Sequence, residues 1–130
     1  MNQSGYIKIE NDEIFWDYQN ENIARLSIND VLAIGEYTFA SLSDDWFLVF
    51  VKKDKSWISI SMYAEEIERL LNFISEKFSP ELKNTQLANS TKWNSVVSFP
   101  ITLRGKNIFE QANKNIELTE EIKQLYSASR

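Results

Sequence analysis

The sequence predicts an α+β fold, and three observations carry that reading. Apolar and polar residues alternate in short runs across residues 6–61, with Asn/Asp-rich turns between them. The period then switches to three and four over residues 62–78, the spacing of an amphipathic helix. Aromatics make up 13% of the 130 residues, while Gly and Pro number three and two, so the chain can fill a core and has few irregular stretches.

Taken in order, Tyr6–Glu10 alternates as a half-buried strand, Asn11-Asp12 makes a tight turn, and Glu13–Tyr18 resumes as a second strand. Residues 19–22 are polar and turn-like; Ile23–Ile28 alternates again, and Asn29-Asp30 breaks the pattern. Val31–Phe39 reads as a fourth strand, with Gly35 marking a bulge or a close backbone approach. Ser41–Asp45 forms the next turn. Trp46–Val51 is almost wholly apolar, as expected of a central strand covered on both faces. Lys52–Lys55 is a charged hairpin loop, and Trp57–Ser61 alternates cleanly.

In the helix over Met62–Phe78, Ile67, Leu70, Leu71, Ile74 and Phe78 share one face, and Ser61 is the expected N-cap. Glu65, Glu66 and Glu68 near its start and Lys77 near its end suit the helix dipole. Ser79-Pro80 stops it. Residues 79–95 read as a polar loop or linker. Val96–Leu103 reads as a strand that Pro100 confines to an edge or bend. Residues 116–127 read as a short terminal helix with Ile116, Ile122, Leu125 and Tyr126 as its contacts.

Six short strands closed by one amphipathic helix resemble the pleckstrin-homology-like superfamily. Ile28–Ile34 looks like the segment before the middle strand in its small bacterial members, and Trp57–Ile60 with the following helix looks like their closing hairpin and cap. The resemblance implies a bent antiparallel sheet or partly open barrel of six to seven strands, capped by the helix, over residues 1–78. Residues 79–130 lie outside the resemblance: 79–95 read as a loop or linker, and 96–130 as a C-terminal extension, an edge strand and a short helix, packed on the same domain. Such folds serve lipid-headgroup binding, peptide binding and structural roles, so function has to be argued from a site.

Composition restricts the chemistry. With no Cys and no His, neither a Ser-His-Asp triad, a Cys-His pair nor the usual zinc site can be assembled. Three isolated glycines cannot build a phosphate-binding loop. Asp44-Asp45 with Glu36 can in principle hold a hard cation or act as an acid/base pair, but adjacent acids in a turn are far more often solvated loop residues. No catalytic, metal-binding or cofactor-binding residue is assigned. The most distinctive local pattern is Glu36, Tyr37, Asp44, Asp45 and Trp46, where aromatics and acids interleave across two strands. It fits a partner-binding patch, and it also fits a cross-strand aromatic pair in the core.

Residues 1–50 hold nine acids against Lys8 and Arg25, a balance of −7, while the remainder balances at +2. An acidic front half argues against nucleic acid and against strong binding to anionic membranes. The basic loop that phosphoinositide-binding relatives place between their first two strands is replaced here by Asn11-Asp12. The sequence shows no signal-peptide pattern and no apolar run near the roughly 20 residues of a membrane span, so a cytoplasmic protein is expected. The expected function is a non-catalytic protein-binding module of unassigned partner. An immunity-type protein that neutralises a basic toxin is the alternative, and a carboxylate-dependent enzyme is the alternative of another class.

Overall fold

The computed structural model describes residues 5–18, 21–38, 46–88, 93–112 and 115–128. Its described residues form nine strands in three antiparallel sheets, with two α-helices; no sheet closes into a barrel among them.

The first sheet is a meander of β1 (Tyr6–Glu10), β2 (Glu13–Tyr18) and β3 (Glu21–Ser27). Asn11 and Asp12 both take positive φ, 51° and 63°, the backbone that a two-residue type I′ hairpin requires. Gln19 and Asn20 lie outside the described residues. Glu21 and Asn22, expected in the turn, belong to β3, because Asn22 and Glu21 pair with Asp17 and Tyr18 after a register shift in β2.

The second sheet has the order β6-β5-β4-β7, from β4 (Val31–Thr38), β5 (Trp46–Lys52), β6 (Trp57–Ser61) and β7 (Asn94–Phe99). The apolar run of β5 is an inner strand, as its composition predicts. β7 is an edge strand and stops just before Pro100, whose missing amide cannot serve a ladder. Gly35 meets both readings of a strand glycine. The β4–β7 register shifts there, and a Cβ at that position would collide with the Ile108 side chain and the Val96 carbonyl.

Helix α1 (Ile67–Lys77) begins later than expected. Met62–Glu66 form an irregular turn because their backbone is used elsewhere: Met62 N–H donates to Trp46 O, Glu65 N–H to Gly5 O, and Glu65 O accepts from Ile7 N–H. Ser61 does not cap the helix; its hydroxyl accepts the Tyr63 amide, and Glu66 precedes the helix with no side-chain cap. Leu70 and Ile74 are fully buried in one core with Ile7, Ile14 and Leu26 of the first sheet and Leu48, Phe50 and Ile60 of the second. Leu71, expected to be buried with them, is only partly so, since the buried face runs through Leu70, Ile74 and Ser75. Lys77 pairs with Asp12 at 3.3 Å and ties the helix end to the β1–β2 turn.

The C-terminal part covers the other face of the second sheet. The hairpin of β8 (Phe109–Ala112) and β9 (Asn115–Leu118) had no counterpart in the sequence reading. Ile116 lies in β9, and helix α2 (Glu120–Ala128) starts after it. Ile108, Phe109, Leu118 and Ile122 join Ala33, Tyr37, Val49, Val51 and Val97 in a second core. The larger sheet is thus covered on both faces.

Candidate partner-binding surface

The five residues singled out in the sequence do not form one surface. Side chains alternate along β4, so Glu36 and Tyr37 point to opposite faces. Tyr37 is 5% exposed and lies in the second core, edge-on to Phe109 and to Trp93, whose indole N–H donates to its hydroxyl at 2.9 Å. Burial pushes the Tyr37 phenol pKa up, and the hydrogen bond from Trp93 offsets part of that shift. Trp46 is half-buried, packed against the first core, and Cα-paired with Thr38 rather than Tyr37. The expected contiguous Tyr37–Trp46 patch is therefore absent: cross-strand partners share a face, and these two residues are one register step apart. Asp44 and Asp45 lie outside the described residues.

Glu36 is 2% exposed, and its carboxylate accepts three hydrogen bonds. Oε1 accepts from the Trp46 indole N–H at 2.9 Å and the Leu87 amide at 3.0 Å; Oε2 accepts from the Gln86 amide at 2.7 Å. A buried carboxylate without such donors would carry a heavy desolvation cost. Nothing in the local sequence announces this role, because two of the three donors lie fifty and fifty-one residues away. Among the described residues no three acids cluster as cation ligands.

The exposed aromatic surface sits next to this site. The Trp46 ring meets Tyr63 edge-to-face, with centroids 6.0 Å apart, and Tyr63 is 44% exposed. The turn carrying Tyr63 is pinned at Met62, Tyr63, Ala64 and Glu65 by hydrogen bonds to Trp46, Ser61 and Gly5. A parallel bridge places Glu65 beside Tyr6, which is 40% exposed. Glu66 follows at φ 71°, a left-handed backbone that costs a non-glycine residue about 1 kcal/mol or more. It is over-determined, since the strand-like bridge ends at Glu65 and Leu70 N–H already closes the first helical turn onto Glu66 O. The result is a rigid corner presenting Tyr63 and Tyr6 beside exposed Glu65 and Glu66.

Other charged and aromatic groups are engaged in structural contacts. In the Arg104-Gly105-Lys106 turn after Leu103, Arg104 donates to Asn84 O at 2.9 Å and Glu81 O at 3.4 Å. In the charged hairpin, Lys52 pairs with Asp54, and Lys55 lies over the Tyr126 ring. Hydrogen bonds from the Ser56 hydroxyl and amide hold the Asp54 carboxyl below its usual range. Trp16 packs on the first core, and Trp57 tilts against Phe109 in the second. A shallow depression of about 280 Å³ on the outer face of β1–β3 is floored by Phe15. Of the four charged residues that line it, Lys8 pairs with Asp17, Arg25 pairs with Glu13 beside it, and Glu10 is the fourth.

No protein-family model, curated protein or solved structure matches this chain. Among the described residues, no helix is long and apolar enough to cross a membrane.

Proposed function

We propose that this chain is a non-catalytic protein-binding module on a pleckstrin-homology-like plan, and that its partner engages the Trp46–Tyr63 corner. Two three-stranded meanders followed by α1 support the resemblance, with β7, the β8–β9 hairpin and α2 as additions to it. The observation that carries the functional reading is the exposed Tyr63 ring, held edge-on to a Trp46 that Glu36 fixes in place. A tyrosine ordered in advance loses little conformational freedom on binding, which is the property of an interface anchor.

The test is site-specific photo-crosslinking in the native host, with the reactive side chain at position 63 or, as a control, at exposed Gln124 on α2. A discrete adduct from position 63, competed by unlabelled protein and absent from position 124, is the expected result. An adduct only from position 124 would move the site elsewhere, and none from either position would reject the binding reading.

The −7 balance of residues 1–50 favours the narrower reading that the partner is a basic toxin, since an acidic surface accelerates encounter with a cationic one. Lys77, from outside that segment, offsets one of these charges through Asp12, while Lys8 and Arg25, paired with Asp17 and Glu13, are already counted in the balance. An association rate that falls steeply with salt is expected for a basic partner; a salt-independent rate would rule this narrower reading out.

A further inference from the structure

We infer that Glu36 is a latch joining segment 79–88 to the Trp46 indole, so that the seating of this segment controls the orientation of the Trp46–Tyr63 pair. Expected as a loop or linker, the segment is a strap laid on the second sheet. Ser79 caps a 3-10 helix at Pro80–Lys83, and Leu82 and Leu87 are buried beneath it. The Gln86 side-chain amide donates to Val97 O at 2.9 Å and Ser98 Oγ at 3.1 Å on β7. Arg104 holds the strap from its other side through Glu81 O and Asn84 O.

The latch lies in how the donors share one carboxylate. Two are the consecutive backbone amides of Gln86 and Leu87, one to each carboxylate oxygen, and the third is the Trp46 indole. None is a cation, so the carboxylate depends on all three fixed donors for its solvation. Oε1 is common to Leu87 and Trp46, and a shift of one donor displaces the acceptor of the other. Lifting the strap would remove two donors from a buried carboxylate and admit water in their place, freeing it to turn away from the indole. Trp46 is the residue against which Tyr63 packs, so the strap becomes a control on the proposed partner site. Only this last step rests on the proposed function.

The test is hydrogen exchange by NMR on the full chain without any partner, so its outcome is independent of the crosslinking result. Arg104→Ala removes the strap's far ties and leaves Glu36 and its donors intact. The latch predicts that the Gln86 and Leu87 amides and the Trp46 indole N–H all exchange about tenfold faster, the effect of losing ~1.4 kcal/mol of local protection. The Val49 and Phe50 amides of the inner strand should keep their rates. Faster exchange of the strap amides with an unchanged Trp46 indole would overturn the inference, as would equal acceleration at Val49 and Phe50. Glu36→Gln supplies the second arm. Joint acceleration of the three donors is expected, and acceleration of Trp46 alone would separate the indole from the strap and reject the latch.

Discussion

Replacing Glu36 with Gln changes no shape and removes one acceptor, so its cost can be worked from three distances. The amide can turn its oxygen toward the Trp46 indole and the Leu87 amide, keeping two bonds; its NH2 group then faces the Gln86 N–H, which sits 2.7 Å from Oε2 in the native protein. Two donors cannot share that separation, and a part-buried backbone amide loses its partner. The opposite orientation strands two donors and is worse. In the better orientation one charge-assisted bond, worth about 1.5–3 kcal/mol, is lost. The other two become neutral bonds of roughly half the strength. Relief from burying a carboxylate offsets part of this. The expected net loss is about 2–3 kcal/mol. For a chain of this length that corresponds to a fall in Tm of roughly 6–15 °C. Urea unfolding should show a lower midpoint at an unchanged slope. Glu13→Gln, which breaks a surface pair with Arg25, is the control and should cost less than about 1 kcal/mol. If Glu36→Gln were no more destabilising than that control, the three hydrogen bonds would not be supporting the fold as argued.

Truncation along α1 should separate the buried face from its flank: Leu70→Ala should lose about 2–5 kcal/mol by denaturant titration, and half-buried Leu71→Ala distinctly less. Equal losses would contradict the helix orientation. Gly35→Ala should be among the most damaging single substitutions, costing about 3 kcal/mol, because the new methyl meets the backbone carbonyl of Val96, which cannot rotate away as a side chain can. A soluble variant of near-native midpoint would show that the β4–β7 approach is looser than described. Alkaline pH probes Tyr37, whose folded pKa lies above its ordinary value of 10.0 through burial. The folded state then favours the neutral phenol. Its contribution to stability is complete below about pH 10 and is lost as pH rises through the folded value. Midpoints measured from pH 8 upward should fall above about pH 10, and less so in Tyr37→Phe. An identical slope in the variant would assign the loss to other groups, Tyr126 first among them, since burial raises its pKa too.

Much of the fold was legible wherever one local pattern decides the structure. β1 and β2 end where their alternation ends, because each turns one face toward a core and the other outward; β6 ends with its alternation too, although its faces meet the two cores, Ile58 and Ile60 the first and Trp57 the second. The Asn-Asp turn, the apolar inner strand, the glycine at a close approach and the proline at an edge each follow from one residue's steric or hydrogen-bonding limits. The β8–β9 hairpin was not legible. Its strands are four residues each, and Phe109 and Leu118 become informative only once the second sheet is there to receive them. The helix start was misplaced for a related reason, since Glu65 gives its backbone to β1 before the helix can use it.

The candidate site divides along the same line. By itself the sequence determined the α+β class, the first six strands, the presence of α1 and the absence of the His and Cys on which many catalytic sites depend. It also drew attention to Glu36 and Trp46, though as members of a patch with Tyr37. Only the tertiary structure decided that Tyr37 belongs to a core, that Tyr63 is the exposed ring, and that Glu36 holds a strap fifty residues downstream. The physical reason is range. Periodicity and turn chemistry act over a few residues and are written in the order of the chain. Which face of a strand is covered, and which distant amide satisfies a buried carboxylate, depends on elements that meet only after the chain has folded.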